Sequence, residues 1–208
     1  MKTVYFLGHT LSRLIGHFCF DFEVVHQERI IEDGGAILAV NHQSFLDPPL
    51  VGISCKREVY YLARKSLLKW PLLGPIFPQL NVIPVDQKRA DMSALKTMVK
   101  LVRTGNRILV FPEGHRSSDG NLLPAQPGLG LVIAKTLAPV IPMRIFGSYE
   151  AFPRTAKLPN FSKIRMVVGE PMHFTKADLE GDSRTVYQDL SNRVMKQIAS
   201  LENVSPED

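Results

Sequence analysis

Ala36-Ile37-Leu38-Ala39-Val40-Asn41-His42-Gln43-Ser44-Phe45-Leu46-Asp47-Pro48-Pro49 is the stretch on which the fold turns. Its first five residues form an unbroken apolar run after the turn-forming Asp33-Gly34-Gly35, the pattern of a strand buried on both faces. Pro48 and Pro49 suit the first turn of a helix, where a missing backbone N–H costs nothing. The same alternation recurs outward in both directions. Residues 20–25 alternate apolar and acidic side chains as a half-buried strand does, and residues 58–63 read as another strand. Leu95, Met98, Val99 and Val102 fall at helical spacing within residues 90–104, and Gly105 takes the stop position. Strands at 107–111, Val140–Phe146 and 163–168 enclose a helix at 128–137. Val186, Leu190, Val194, Ile198 and Leu201 mark a terminal amphipathic helix. Strands alternating with helices predict an α/β fold with a largely parallel central sheet flanked by helices.

A chain of 208 residues fits one domain, and 45% apolar content is enough for a sizeable core, which excludes a disordered chain. No run of about 18 apolar residues occurs, which excludes a polytopic membrane protein. Cys19 and Cys55 are too few for a disulfide framework and suit a reducing compartment. The net charge of +5 is unevenly spread: residues 56–107 carry 11 basic against 3 acidic side chains, and residues 170–208 carry 4 against 8. A basic middle points to a partner bearing phosphates, whether nucleic acid, membrane lipid or a phosphorylated small molecule.

Residues 1–20 predict an N-terminal amphipathic helix, set apart from residues 21–208. Val4, Leu7, Leu11, Leu14, Ile15 and Phe18 share one face, while His9, Arg13 and His17 form a stripe at four-residue steps. Arg13 near the centre makes a spanning helix costly. Two readings stand: the apolar face lies in a membrane surface with its basic edge on anionic lipid, or it packs on the domain's own core. Residues 70–85 are uncharged but hold Pro71, Pro75, Pro78 and Pro84, which forbid a continuous helix. They predict an irregular apolar loop that either walls a groove for a fatty chain or covers the core.

Of six histidines only His42 combines with its neighbours into a site. It follows the 36–40 strand, and sites in open α/β sheets lie beyond the carboxyl ends of strands. Asp47, five residues on, can turn back to hold one imidazole nitrogen and fix its tautomer. Ser44 and Asp47 equally fit a capping box, with Asp47 serving only as an N-cap. A second loop, Phe111-Pro112-Glu113-Gly114-His115-Arg116-Ser117, leaves the 107–111 strand. Gly114 permits close backbone approach, and Arg116 offers a planar fork suited to phosphate. Glu113 is placed either to accept from a substrate hydroxyl or to hold Arg116. No His or Cys pair has zinc-like spacing, so no metal is expected.

Together, Asn41-His42-x-x-x-x-Asp47 and, about 65 residues later, Phe111-Pro112-Glu113-Gly114-x-Arg116-Ser117 resemble the glycerolipid acyltransferase family, which includes the 1-acylglycerol-3-phosphate acyltransferases. Ala63-Arg64-Lys65 with Pro71-Leu72-Leu73-Gly74 and Val82-Ile83-Pro84-Val85-Asp86 resembles a second block of that family, and Val140-Ile141-Pro142-Met143 a fourth. The resemblance spans roughly residues 20–175 and implies an acyltransferase domain over 21–208. It implies transfer of a fatty acyl group from acyl-CoA or acyl-ACP to the hydroxyl of 1-acylglycerol-3-phosphate, with no cofactor. His42 would be the base and Asp47 its orienting partner. Asn41, Glu113, Gly114, Arg116, Ser117 and Arg89 would bind substrate. The implied partners are a lysolipid acceptor, the acyl donor and an anionic membrane surface, with the protein peripheral on the cytoplasmic face.

Three positions depart from the family pattern. Gln87 stands where an arginine is usual, with Lys88 and Arg89 next; His115 replaces a threonine; and Gln126 precedes Pro127-Gly128 where a lysine is common. The last two leave open a lyso-aminolipid acceptor. A hydrolase acting on the same thioester is a further alternative. A nucleic-acid-binding domain is a distant one, because no recognised motif or aromatic platform accompanies the basic segment, so no nucleic acid is expected.

Overall fold

The computed structural model describes residues 2–71, 74–86 and 91–204. In chain order the elements are α1 (Thr3–Phe20), β1 (Glu23–Val25), β2 (Ala36–Val40), α2 (Asp47–Ser54), β3 (Val59–Arg64), β4 (Val82–Val85), α3 (Met92–Arg103), β5 (Arg107–Val110), α4 (Gly128–Thr136), β6 (Val140–Phe146), α5 (Ser148–Ala151), β7 (Arg165–Val168) and α6 (Ser183–Ser200). Among the described residues seven strands form one sheet in the order β1-β7-β6-β2-β5-β3-β4. Every neighbouring pair is parallel except β6 and β7. The predicted architecture is therefore the observed one.

The apolar run at 36–40 sits in the middle of that sheet because both of its faces need cover. Ile37 and Ala39 join a core with Met98 and Val102 of α3, Leu129 and Ile133 of α4, and Leu190 and Val194 of α6. Ala36, Leu38 and Val40 face the other way, against Leu50 and Val51 of α2 and Phe20 of α1. Full burial of such a Leu, Ile or Val contributes about 1.5–3 kcal/mol, so two-sided cover favours the centre over an edge. Helix α4 approaches α6 closely only because residue 130 is glycine. A Cβ there would lie 1.9 Å from the Tyr187 carbonyl oxygen. The Gly130 N–H instead donates to Ser191 Oγ at 2.8 Å.

One expectation needs correction, and of the two readings of α1 the packing of its apolar stripe on the core is not observed. The segment 70–85 is not wholly irregular: it contains a 3₁₀ turn at Phe77–Leu80 and the strand β4. Pro84 argues against a central strand, but β4 lies at the edge and pairs with β3 alone, where a missing donor is tolerated. Helix α1 packs by a different stripe from the one its hydropathy suggests. Tyr5, Gly16 and Phe20 are its buried residues. Tyr5 Oη hydrogen-bonds Tyr61 Oη and accepts from the Val59 N–H, both at 3.0 Å, and Gly16 lies against Ile53 and Leu50. Leu7, Leu11, Leu14, Ile15 and Phe18 stay in solvent, with Leu11 59% and Phe18 77% exposed. Among the described residues no helix is long and apolar enough to cross a membrane.

Candidate active site

Strands β2, β3, β5 and β6 run the same way, so their carboxyl ends share one edge of the sheet. Because β2 and β5 are direct neighbours, with Ala39 opposite Val110, the loops that follow them meet. The Ser117 N–H donates to the His42 carbonyl at 2.8 Å. The His42 N–H donates to Glu113 Oε1 at 2.7 Å. The two segments singled out in the sequence thus form one structure.

Asp47 is the first residue of α2, and Leu46 occupies the cap position without a side-chain bond. The carboxylate is therefore not spent on capping. It turns back, and its Oδ2 takes His42 Nδ1 at 2.8 Å and the N–H groups of Gln43 and Ser44 at 2.7 Å each. Asp47 is fully buried, whereas the His42 side chain keeps 16% exposure. A carboxylate on Nδ1 fixes the ring proton there and leaves Nε2 with its lone pair as the accessible base. The imidazole also stacks on Phe111, with ring centroids 3.8 Å apart and planes 11° from parallel.

Arg116 lies with its guanidinium carbon 3.6 Å over the centre of the Phe45 ring. Its Nη1 is buried without a hydrogen-bond partner. A planar cation held on an aromatic face, with a fork unfilled, fits an incoming anion. Gly114 is exposed with φ of +75°, a conformation glycine adopts freely. The position of an added Cβ would be 3.2 Å from Gln126 Cγ, so this turn lies close against Gln126.

Glu113, Asn41 and Ser117 are buried. Glu113 is 1% exposed, and its second oxygen accepts the Leu123 N–H at 2.9 Å. Both carboxylate oxygens clamp backbone, and neither is bonded to Arg116. Burial pushes its pKa up to about 7, against the pull of those two N–H groups and with help from the charge of Asp47. Asn41 is buried with Oδ1 accepting from the Ile145 N–H at 2.7 Å and Nδ2 donating to the Ile145 carbonyl at 3.0 Å, which ties the loop to β6. Ser117 is buried, and its Oγ donates to Asp119. All three side chains hold the loops. Arg89, like Gln87, Leu72 and Leu73, lies outside the described residues. Sequence reasoning gave Phe45 and Phe111 no role of their own, although Phe111 opens the second motif. Their signal was an aromatic residue inside each polar loop. Among the described residues no group of three or more His, Cys, Asp or Glu side chains could hold a metal ion.

The model of the Acyltransferase family matches residues 21–146. A chloroplastic 1-acyl-sn-glycerol-3-phosphate acyltransferase of Brassica napus is 30% identical over 150 residues, which cover 71% of this chain and 43% of the relative. The Bacillus subtilis 1-acyl-sn-glycerol-3-phosphate acyltransferase is 26% identical over 152 residues, 73% of each chain. The chain spans about two-fifths of the plant relatives' length, 43% and 42% for those of Brassica napus and Arabidopsis thaliana. The crystal structure of the 1-acyl-sn-glycerophosphate acyltransferase PlsC from Thermotoga maritima superposes with a TM-score of 0.74 at 24% identity, covering 96% of this chain and 81% of that one. At that identity the likeness is one of fold. The family match takes in both loops and the strands that carry them, and this chain belongs to the Acyltransferase family.

Proposed function

We propose that the protein transfers a fatty acyl group from a thioester, acyl-CoA or acyl-ACP, to the free hydroxyl of 1-acylglycerol-3-phosphate, making phosphatidic acid for phospholipid synthesis. The observation that carries this reading is the His42–Asp47 pair, bonded at 2.8 Å, on the loop whose Phe45 ring carries the Arg116 guanidinium. His42 Nε2 takes the acceptor's hydroxyl proton as the oxygen attacks the thioester carbonyl. The buried Asp47 carboxylate stabilises the imidazolium that forms. The carbon–sulfur bond breaks, and the imidazolium returns the proton to the leaving thiolate. Arg116 holds the acceptor's phosphate. Neither free cysteine serves as a nucleophile: burial pushes the Cys55 thiol up to about 12, and Cys19 lies on α1. No acyl-enzyme is needed.

The names of the similar proteins from Brassica napus and Bacillus subtilis support the acceptor. The exposed face of α1 supports a site of action at a membrane surface. Phe6, Leu7, Leu11, Leu14, Ile15 and Phe18 would enter the interface of an anionic bilayer with Arg13 at its headgroups. The reading places that surface on the cytoplasmic side. The test is coenzyme A release from an acyl-CoA in the presence of lysophosphatidate, a lyso-aminolipid or no acceptor. Release that requires lysophosphatidate supports the reading. Release only with the lyso-aminolipid moves the acceptor, and free fatty acid without any acceptor makes the protein a thioester hydrolase.

A further inference from the structure

The edge of the sheet that carries His42 holds more positive charge than Arg116 alone. Arg64 closes β3, the neighbour of β5, and so stands at the same edge as the 111–117 loop. Arg154 comes from the segment that follows α5. That segment is pinned to the first loop at two points: Ser44 Oγ donates to the Phe152 carbonyl at 2.7 Å, and the Phe152 ring packs on Phe45 with centroids 5.7 Å apart. Phe45 is the ring under Arg116, so Arg154, two residues beyond Phe152, is brought towards the same guanidinium.

Arg64 and Arg154 are exposed, and among the described residues neither is paired with a carboxylate. The acid that acts on Arg116, Asp47, is fully buried and already holds three hydrogen bonds on one oxygen. Burial lowers the proton affinity of Arg116, and the charges of Arg154 and then Arg64 lower it further, so the three cations act on one another. Like charges gathered without a counter-ion are unfavourable until an anion arrives, and guanidinium forks suit a phosphate dianion.

We propose that Arg154 is an acceptor-binding residue that, with Arg116 and Arg64, surrounds the phosphomonoester of the lysolipid. The inference rests on the acyl-transfer reading above and narrows its acceptor. A phosphomonoester carries about −1.5 to −2 charges at pH 7 and three acceptor oxygens, whereas an amine-bearing headgroup offers the cluster no matching charge.

The test is steady-state coenzyme A release by the unaltered protein, R154A and R154K. Lysophosphatidate and its phosphate-free counterpart monoacylglycerol serve as acceptors. Arg154 is exposed, so R154A keeps its fold, checked by its melting curve. The expected result is a KM for lysophosphatidate raised about tenfold or more in R154A, because a charge-assisted contact is lost. R154K should lie between, while kcat, the KM for the thioester and turnover of monoacylglycerol change less than twofold. An unchanged KM for lysophosphatidate in R154A overturns the inference, as does a rise in the thioester's KM instead. Absence of turnover by the unaltered protein with lysophosphatidate would refute the acceptor reading itself. An unchanged KM in R154A beside normal turnover refutes only the role of Arg154.

Discussion

Replacing Asp47 by asparagine removes one charge and almost no volume, so it isolates what the carboxylate does for His42. In the unaltered protein Oδ2 holds His42 Nδ1 and two backbone N–H groups, and Oδ1 is buried without a partner. In Asp47→Asn the amide oxygen has to keep the Oδ2 position, since a flipped amide would aim its own N–H groups at those of Gln43 and Ser44. Ring orientation is then retained while the charge facing the imidazolium is gone. Opposite charges about 4 Å apart attract by about 4 kcal/mol at an effective dielectric of 20. At about 1.4 kcal/mol per tenfold, that predicts a loss in kcat of about 10³-fold. The figure lies within the roughly 10²–10⁴-fold expected of general-base help as a whole. The amide's NH₂ at the former Oδ1 position lacks an acceptor, so stability should also fall by about 1–3 kcal/mol. The assay is coenzyme A release at saturating substrates, with urea unfolding as the control for folding. A folded D47N protein retaining kcat within tenfold of the original would refute the claim that a buried charge drives the base.

Asn41→Ala separates scaffold from substrate contact. It leaves the Ile145 N–H and carbonyl unpaired and should cost about 2–4 kcal/mol in urea unfolding. A raised acceptor KM at normal stability would contradict the scaffold role. Glu113 makes stability depend on pH. Its folded pKa, about 7, stands above the ordinary 4.5, so folding takes up a proton between those values. Its contribution is greatest below pH 4.5 and is lost as pH rises through about 7. The unfolding free energy of the unaltered protein minus that of Glu113→Gln should therefore fall by up to about 3 kcal/mol between pH 4.5 and 8; a difference that stays flat or rises contradicts this. On α1, the double variant L11D/F18D should keep its melting temperature, because both side chains are exposed. It should bind anionic vesicles at least tenfold more weakly, since each apolar side chain is worth about 1.5–3 kcal/mol when buried. Equal vesicle binding would remove α1 from the membrane contact.

The central fold was legible in the sequence because β2, β5 and β6 are short apolar runs that bury both faces, and α6 keeps a clear helical period. Strand β4 was hidden by Pro84, since hydropathy cannot tell an edge position, where a missing N–H is harmless, from a central one. The packing side of α1 was hidden for a related reason: it is made by Tyr5, Gly16 and the end residue Phe20, while the greasier stripe faces outward. At the site, spacing left Asp47 either on His42 or at an N-cap, and the resemblance to the acyltransferases selected the pair. The roles of Asn41, Glu113 and Ser117 were not legible, because a polar residue in a loop reads the same whether it faces a ligand or buried backbone. Arg154 carries no motif of its own; only the bonds of Phe152 to Ser44 and Phe45 bring it to the edge.

The central claim is that the imidazole of His42, held through Nδ1 by Asp47, takes the acceptor's proton at Nε2. Turnover of an acyl-CoA with lysophosphatidate by His42→Ala, beside its urea unfolding curve, tests it most directly. The account predicts a folded protein whose kcat has dropped by at least about 10²-fold. A folded H42A protein that releases coenzyme A at close to the original rate would contradict it.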